Sequence, residues 1–137
     1  MITTKIANEL ADKAKSQDNG VKFDINPIPG DVEVLQIIIE DKEELPIFVS
    51  STENHILCIS YLFKQEEIKP EGLNELNATM LSANISMPLS SFALINGQYV
   101  LYGSLSANSS LDDIIYEIEL LSNNTSDAVE ALSQYLI

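Results

Sequence analysis

The chain has 137 residues, 45% of them hydrophobic and 20% charged, a composition that suits one globular domain with its own core and excludes a disordered chain. Its 21 acidic residues stand against 7 lysines and no arginine, for a formal net charge of −14. Nucleic acid and anionic membrane surfaces are therefore disfavoured as partners, because both are gripped by Lys and Arg, and no apolar run approaches the roughly 18 residues that span a bilayer.

Taken in chain order, residues 3–18 read as an amphipathic helix. Ile6, Leu10 and Ala14 recur at helical spacing with Ala7 and Ala11 beside them, and Asn19-Gly20 supplies the stop. Residues 21–25 alternate, with Val21, Phe23 and Ile25 on one face, and read as a strand. Residues 26–30 (Asn-Pro-Ile-Pro-Gly) read as a turn-rich connector, since proline fixes φ and lacks a backbone donor. Strands follow at residues 32–40, 45–50 and 55–63. Pro46 puts the middle one at a sheet edge or marks its start. Ser51-Thr52-Glu53-Asn54 is the hairpin turn into the next strand. Residues 64–69 are charged and expected to be exposed.

A second helix opens at Pro70-Glu71, where proline suits the first turn and the acid suits the positive end of the helix dipole. Leu73, Leu76, Met80 and Leu81 form its apolar stripe, and it is expected to end near Asn84. Residues 91–95 and 98–106 read as strands around Asn96-Gly97, a strong hairpin signal because both residues tolerate positive φ. Ser110 with Asp113 resembles a capping box. From Leu111 the apolar positions Ile114, Ile115, Ile118, Leu121, Thr125, Ala128, Leu132 and Leu136 stay in phase, which predicts one long helix to the C-terminus. Asn123-Asn124-Thr125-Ser126 is its weakest stretch and a place for a kink.

The order α-β-β-β-β-α-β-β-α predicts a single α+β domain over residues 1–137, with a largely antiparallel sheet and packed helices. Several strands are apolar on both faces. In the strand at 55–63, Ile56, Cys58 and Leu62 fall on one side and Leu57, Ile59, Tyr61 and Phe63 on the other. In the last strand, Tyr99, Leu101 and Leu105 oppose Val100 and Tyr102. The second face is expected to be covered by the chain's own helices, with a second copy or a partner as the alternatives.

Catalytic chemistry is hard to find. His55 is the only histidine, and Cys58 lies three residues on, which puts the two on opposite faces of a strand. No Gly-x-Ser-x-Gly turn, phosphate-binding glycine loop or EF-hand spacing occurs, and one Cys with one His does not make a zinc site. No cofactor and no metal are expected, nor an enzyme. A single cysteine cannot form an intramolecular disulfide, and Cys58 sits in the apolar run Ile56-Leu57-Cys58-Ile59 as a small buried hydrophobe. Residues 1–5 lack the apolar run of a secretory leader, so the expected compartment is the cytoplasm. The Asn-x-Ser/Thr triplets at Asn77, Asn84, Asn108, Asn123 and Asn124 are then chance products. Asp113 and Glu117 are four apart on one helix face. Their first reading is solvated acids near a helix N-terminus, their second a contact for a basic partner, and their third a cation site.

Pro88-Leu89-Ser90-Ser91-Phe92, Tyr102-Gly103-Ser104-Leu105-Ser106, Ser109-Ser110-Leu111 and Ile115-Tyr116-Glu117-Ile118-Glu119 resemble the YjfI-like bacterial proteins, and Leu45-Pro46-Ile47-Phe48-Val49 fits the same pattern. The resemblance covers most of the chain from Leu45 onward. It implies a small cytoplasmic bacterial protein of a family without an assigned function. It also implies a membrane- or envelope-stress setting, since genes of that family lie near that of a phage-shock-protein A-like protein. More distantly the chain is similar to the secretion-chaperone-like fold of type III secretion chaperones and YbjN-like proteins. That likeness implies dimers that hold an extended client segment on apolar patches; an extra early strand departs from the pattern. The expected function is thus a non-enzymatic, chaperone- or adaptor-like protein. Its partner is another protein, either basic or met through apolar surface, and a homodimer is compatible with the same features. The candidate partner contacts are Asp112, Asp113, Glu117, Tyr99 and Tyr102. A ligand binder or enzyme using carboxylates in an apolar pocket, and a structural subunit of a larger assembly, are the alternatives.

Overall fold

Among the described residues six strands make one antiparallel sheet; numbered along the chain, they lie side by side in the order first, second, third, fourth, sixth, fifth. The computed structural model describes residues 2–16 and 23–137. Helix α1 (Ile2–Ser16) is followed by β1 (Phe23–Ile28), β2 (Val34–Ile39), β3 (Ile47–Ser51) and β4 (His55–Lys64). Two short 3-10 turns, Gln65–Glu67 and Pro70–Gly72, lead into α2 (Leu73–Ala83). Then come β5 (Ser91–Ile95), β6 (Gln98–Ser106), α3 (Leu111–Leu132) and a last 3-10 turn, Ser133–Tyr135. The element order and the α+β class are those expected from the sequence. The stop at Asn19-Gly20 and the strand start at Val21 lie outside the described residues.

Several local expectations change. The connector placed at residues 26–30 is strand as far as Ile28, with Pro27 opposite Leu35. Proline is tolerated there because β1 is the edge strand and turns its missing donor away from a neighbour. Pro46 immediately precedes β3, which is central, so it marks a strand start and not an edge. The pairing of β4 with β6 shifts register between Tyr61 and Lys64, and this irregularity turns Phe63 into the core, against the strict alternation read from the sequence. Phe63 then meets Tyr99 edge-to-face at 5.7 Å. The two-residue turn Asn96-Gly97 has φ of 49° and 79°, the left-handed pair that fits the twist of a tight hairpin.

The core lies between the sheet and its helices. Leu35, Ile37, Ile47, Val49, Ile56, Cys58 and Leu101 point from the strands to Ile6 of α1, Leu76 of α2 and Ile114, Ile118 and Leu121 of α3, and all of these are buried. Helix α3 packs on β4 and β6, and α1 packs on α3 and on β1 to β3. Helix α2 sits on the same face at the β5 end, where the Tyr99 hydroxyl donates to Asn77 Oδ1.

Helix α3 runs unbroken through residues 123–126 and stops at Leu132, not at the C-terminus. Leu136 instead bridges Ile68. Thr125 gives its hydroxyl proton to the Leu121 carbonyl at 2.7 Å, so a poor helix former stays satisfied inside the helix. Asn123 accepts from Lys42 Nζ. Asn124 Nδ2 donates to the Pro88 carbonyl and to Ser90 Oγ, both at 3.0 Å. The residues that weaken this stretch as helix tie it to two loops.

Candidate functional site

Strand alternation sends one set of side chains under the helices and the other to the opposite face. Among the described residues no helix packs on that opposite face, so the expectation that the chain's own helices cover both faces is corrected. The pairing register lays its side chains out in rows. One row runs Gln36, Phe48, Ile59, Tyr102, Ser91 across β2, β3, β4, β6 and β5. A second holds Tyr61, Val100 and Ala93, and a third Val34, Ser50, Leu57 and Ser104. Phe48 and Tyr61 meet edge-to-face at 5.5 Å. Ile38, Phe48, Leu57, Ile59 and Tyr102 are half-buried by their own neighbours, and Tyr61 is 48% exposed. Val100 is fully buried within this face; the rest is an apolar, aromatic surface on which no helix packs, the kind of patch that marks interaction sites on soluble proteins.

Its border at β1 and β2 is acidic. Asp24 pairs in register with Ile38 and is exposed. A shallow cleft of about 210 Å³ brings together Phe23, Asp24, Ile38, Glu40 and Glu43. An apolar centre with carboxylates on one side suits a segment carrying apolar anchors and positive charge.

The residues singled out from the sequence fall in separate places. Asp112 and Asp113 are exposed in the first turn of α3, where the Asp113 amide donates to Ser110 Oγ at 3.2 Å as the predicted cap. Tyr102 is on the open face. Tyr99 is buried under α2. Glu117 is only 2% exposed and lies inside the core, so it forms no surface with Asp113, and neither a partner contact nor a cation pair is available to it. The phase of α3 carried this signal, since Glu117 falls between Ile114 and Leu121 on the apolar stripe. Phe48, Ile38 and Asp24 were missed, although Ile47-Phe48-Val49 is as two-faced as β4.

Glu117 owes its position to Gly103. A Cβ on residue 103 would sit 1.6 Å from Glu117 Oε1 and 3.1 Å from the Leu89 carbonyl oxygen, so the carboxyl occupies the space that any other residue would fill. Burial holds Glu117 above its ordinary value of 4.5. Burial, and then the Glu117 charge, push the Cys58 thiol up to about 12. A thiol held neutral in the core is a poor nucleophile. His55 is engaged in its turn, with Nδ1 3.1 Å from Thr52 Oγ1 and its amide donating to the same oxygen at 3.2 Å.

An antiparallel sheet with helices on one face and a long closing helix defines the class, an α+β fold shared with a type III secretion complex. The chain superposes with a TM-score of 0.55 on a chain from the structure of the heterodimeric complex ExoU-SpcU from the type III secretion system of Pseudomonas aeruginosa, covering 95% of this chain and 96% of that one. Sequence identity is 18%, so the likeness is one of fold. The chain itself belongs to the bacterial family described as "Uncharacterized protein conserved in bacteria (DUF2170)", whose model matches residues 2–136. It is 30% identical over 105 residues to "Uncharacterized protein YjfI" of Escherichia coli strain K12, covering 74% of this chain and 77% of that protein, and equally to the one of strain O157:H7. Among the described residues no helix is long and apolar enough to cross a membrane.

Proposed function

We propose that this protein is a non-enzymatic, chaperone- or adaptor-like binding protein that holds a segment of another protein on the open face of its sheet. The observation that supports this most is the uncovered row of Phe48, Ile59 and Tyr102 with Tyr61 beside it. Each uncovered aromatic or branched side chain leaves apolar area in water, and a partner gains about 25 cal/mol for every Å² it removes. The acidic border at Asp24, Glu40 and Glu43, on a chain of net charge −14, steers basic segments and repels acidic ones. The fold shared with a chain of a type III secretion heterodimer supports a protein partner, and the YjfI-like resemblance supports a bacterial cytoplasmic setting linked to envelope stress. Self-association is the other protein contact these surfaces allow.

The test is capture from native lysate with the wild-type chain and a Phe48→Ser/Tyr61→Ser double variant, at low and at high salt. The reading expects at least one partner held by the wild type and lost by the variant. It expects that partner to weaken, not vanish, as salt rises, because apolar contact remains when the charges are screened. Identical partner sets for both proteins, or none for either, would sink it.

A further inference from the structure

Ser122 on α3 is 2% exposed, and its Oγ has no hydrogen-bond partner. Three residues on, Thr125 meets the same difficulty by donating to the Leu121 carbonyl, four residues back. Ser122 leaves the equivalent Ile118 carbonyl alone. A buried hydroxyl without a partner costs stability, and in a native fold it asks for a reason. Ser122 lines a cleft of about 310 Å³ between α3 and the turn that joins β2 to β3.

The chemistry of that cleft is narrow. Phe23 and Ile39 give it apolar walls, and Glu40, Asp41 and Glu119 give it carboxylates. Lys42, the basic residue on its wall, donates to Asn123 Oδ1 beside it. Glu40 and Phe23 also line the cleft that holds Asp24 and Glu43, so negative charge is spread over two adjoining clefts. Among the described residues no three acids, histidines or cysteines gather closely enough to hold a metal ion. Carboxylates spread along apolar wall, with a hydroxyl acceptor at a buried position, fit a cation whose own charge is spread. An aliphatic polyamine is such a cation. Its ammonium groups make charge-assisted hydrogen bonds to carboxylates, and the methylene runs between them lie against apolar side chains.

We propose that this cleft binds an aliphatic polyamine of the spermidine class. Its ammonium groups donate to the Glu40 and Asp41 carboxylates and to Ser122 Oγ, and its methylenes rest on Phe23 and Ile39. A lysine side chain carries the same aliphatic ammonium, and the test separates the two sources. The cleft lies on the helix side of the sheet, where Ile39 and Ser122 are buried, so the proposal goes beyond the client reading of the open face and does not rest on it.

The test is titration calorimetry of the purified full chain with spermidine at fixed ionic strength. A capped trilysine peptide of equal charge and magnesium serve as comparators. The expected result is one spermidine per chain, held more tightly than either comparator. Glu40→Gln/Asp41→Asn is expected to weaken it about tenfold or more, the worth of a charge-assisted hydrogen bond. Ser122→Ala is expected to weaken it about threefold or more. The same change should not lower the melting temperature of the free chain, because the hydroxyl it removes has no partner. Asp31→Asn/Glu53→Gln removes two charges from the turns at the other end of the sheet and is expected to leave the affinity unchanged. No binding of spermidine overturns the proposal. Equal weakening in the two double variants overturns it too, since that shows attraction to net charge alone. So does an affinity that Ser122→Ala leaves at the wild-type value. Tighter binding of trilysine than of spermidine overturns it as well and makes the cleft a seat for a lysine of a bound segment.

Discussion

The two faces of the sheet are built from the same strands yet obey different rules. On β6, Leu101 goes under α3 and is fully buried, while Tyr102, one residue on, faces outward and is half-buried. On β4, Ile56 and Cys58 are core, and Leu57 and Ile59 stand on the open side. Both sets are apolar, so composition does not separate them. What separates them is what packs opposite. The covered face has three helices whose apolar stripes interdigitate with it, and each side chain there contributes to stability through burial and close contact. The open face has only its own neighbours, and the apolar area left in water is available to a partner.

This contrast is sharpest in mutation, and the largest effect is expected on the covered face. Leu101→Ala removes buried methyl groups from a site with no room to collapse and should cost about 2–5 kcal/mol in chemical denaturation. A loss below that of a surface substitution would mean that the helices are not seated as described. Next is Gly103→Ala, which drives a Cβ into Glu117 and against the Leu89 carbonyl. Overpacking of this kind costs about 1–3 kcal/mol. Part of that cost should return in the Gly103→Ala/Glu117→Ala double variant, and strictly additive effects in the cycle would deny the contact.

Asn124→Ala is expected to destabilise by about 1 kcal/mol, although alanine is the better helix former by roughly 0.6 kcal/mol, because two hydrogen bonds to the loop at residues 88–90 are lost. A stabilised variant would show those bonds to be idle. The smallest effect belongs to the open face. Tyr61→Ser gives up one edge-to-face contact with Phe48 and little burial, and should cost about 1 kcal/mol or less. A cost as large as that of Leu101→Ala would erase the distinction between the faces.

Glu117 adds a pH dependence to the covered face. Its folded pKa is raised above 4.5 by burial, so the folded chain binds this proton more tightly than the unfolded chain. Its penalty is absent below the unfolded value. It grows as pH rises and is complete once the carboxyl ionises in the folded state. Glu117→Gln keeps the shape and removes the charge. Its melting temperature should exceed the wild type's by a margin that widens as pH rises above about 4.5. A margin that stays constant would assign the effect to packing alone.

Much of this was legible in the sequence, for identifiable reasons. The order of elements followed from period and punctuation. Asn96-Gly97 forms its hairpin, Ser110 caps α3, and Asn84 ends α2, because each acts within a few residues of itself. What was not legible depends on neighbours distant in sequence. Pro27 was read as a breaker, but an edge strand has no use for its missing donor. Phe63 was assigned by alternation, but the register shift near Tyr61 depends on β6. Glu117 was read by residue type as a surface acid, whereas its helical phase and a glycine on another strand decide that it is buried. The open face was half legible: two-faced strands showed that something must cover them, and only the topology showed that the helices lie on the other side.

The middle of α3 has a consequence beyond holding its own turn. Asp41 and Leu89 are the two non-glycine residues outside the hairpin turn that adopt left-handed backbone among the described residues, at φ 71° and 61°. Lys42, next to the first, is tied to Asn123, and Pro88 and Ser90, on either side of the second, are tied to Asn124. Two strained corners, one between β2 and β3 and the other between α2 and β5, are thus hung from adjacent residues of one helix. Unwinding that single turn would release both corners together, so two loops far apart in sequence are linked as if by one latch.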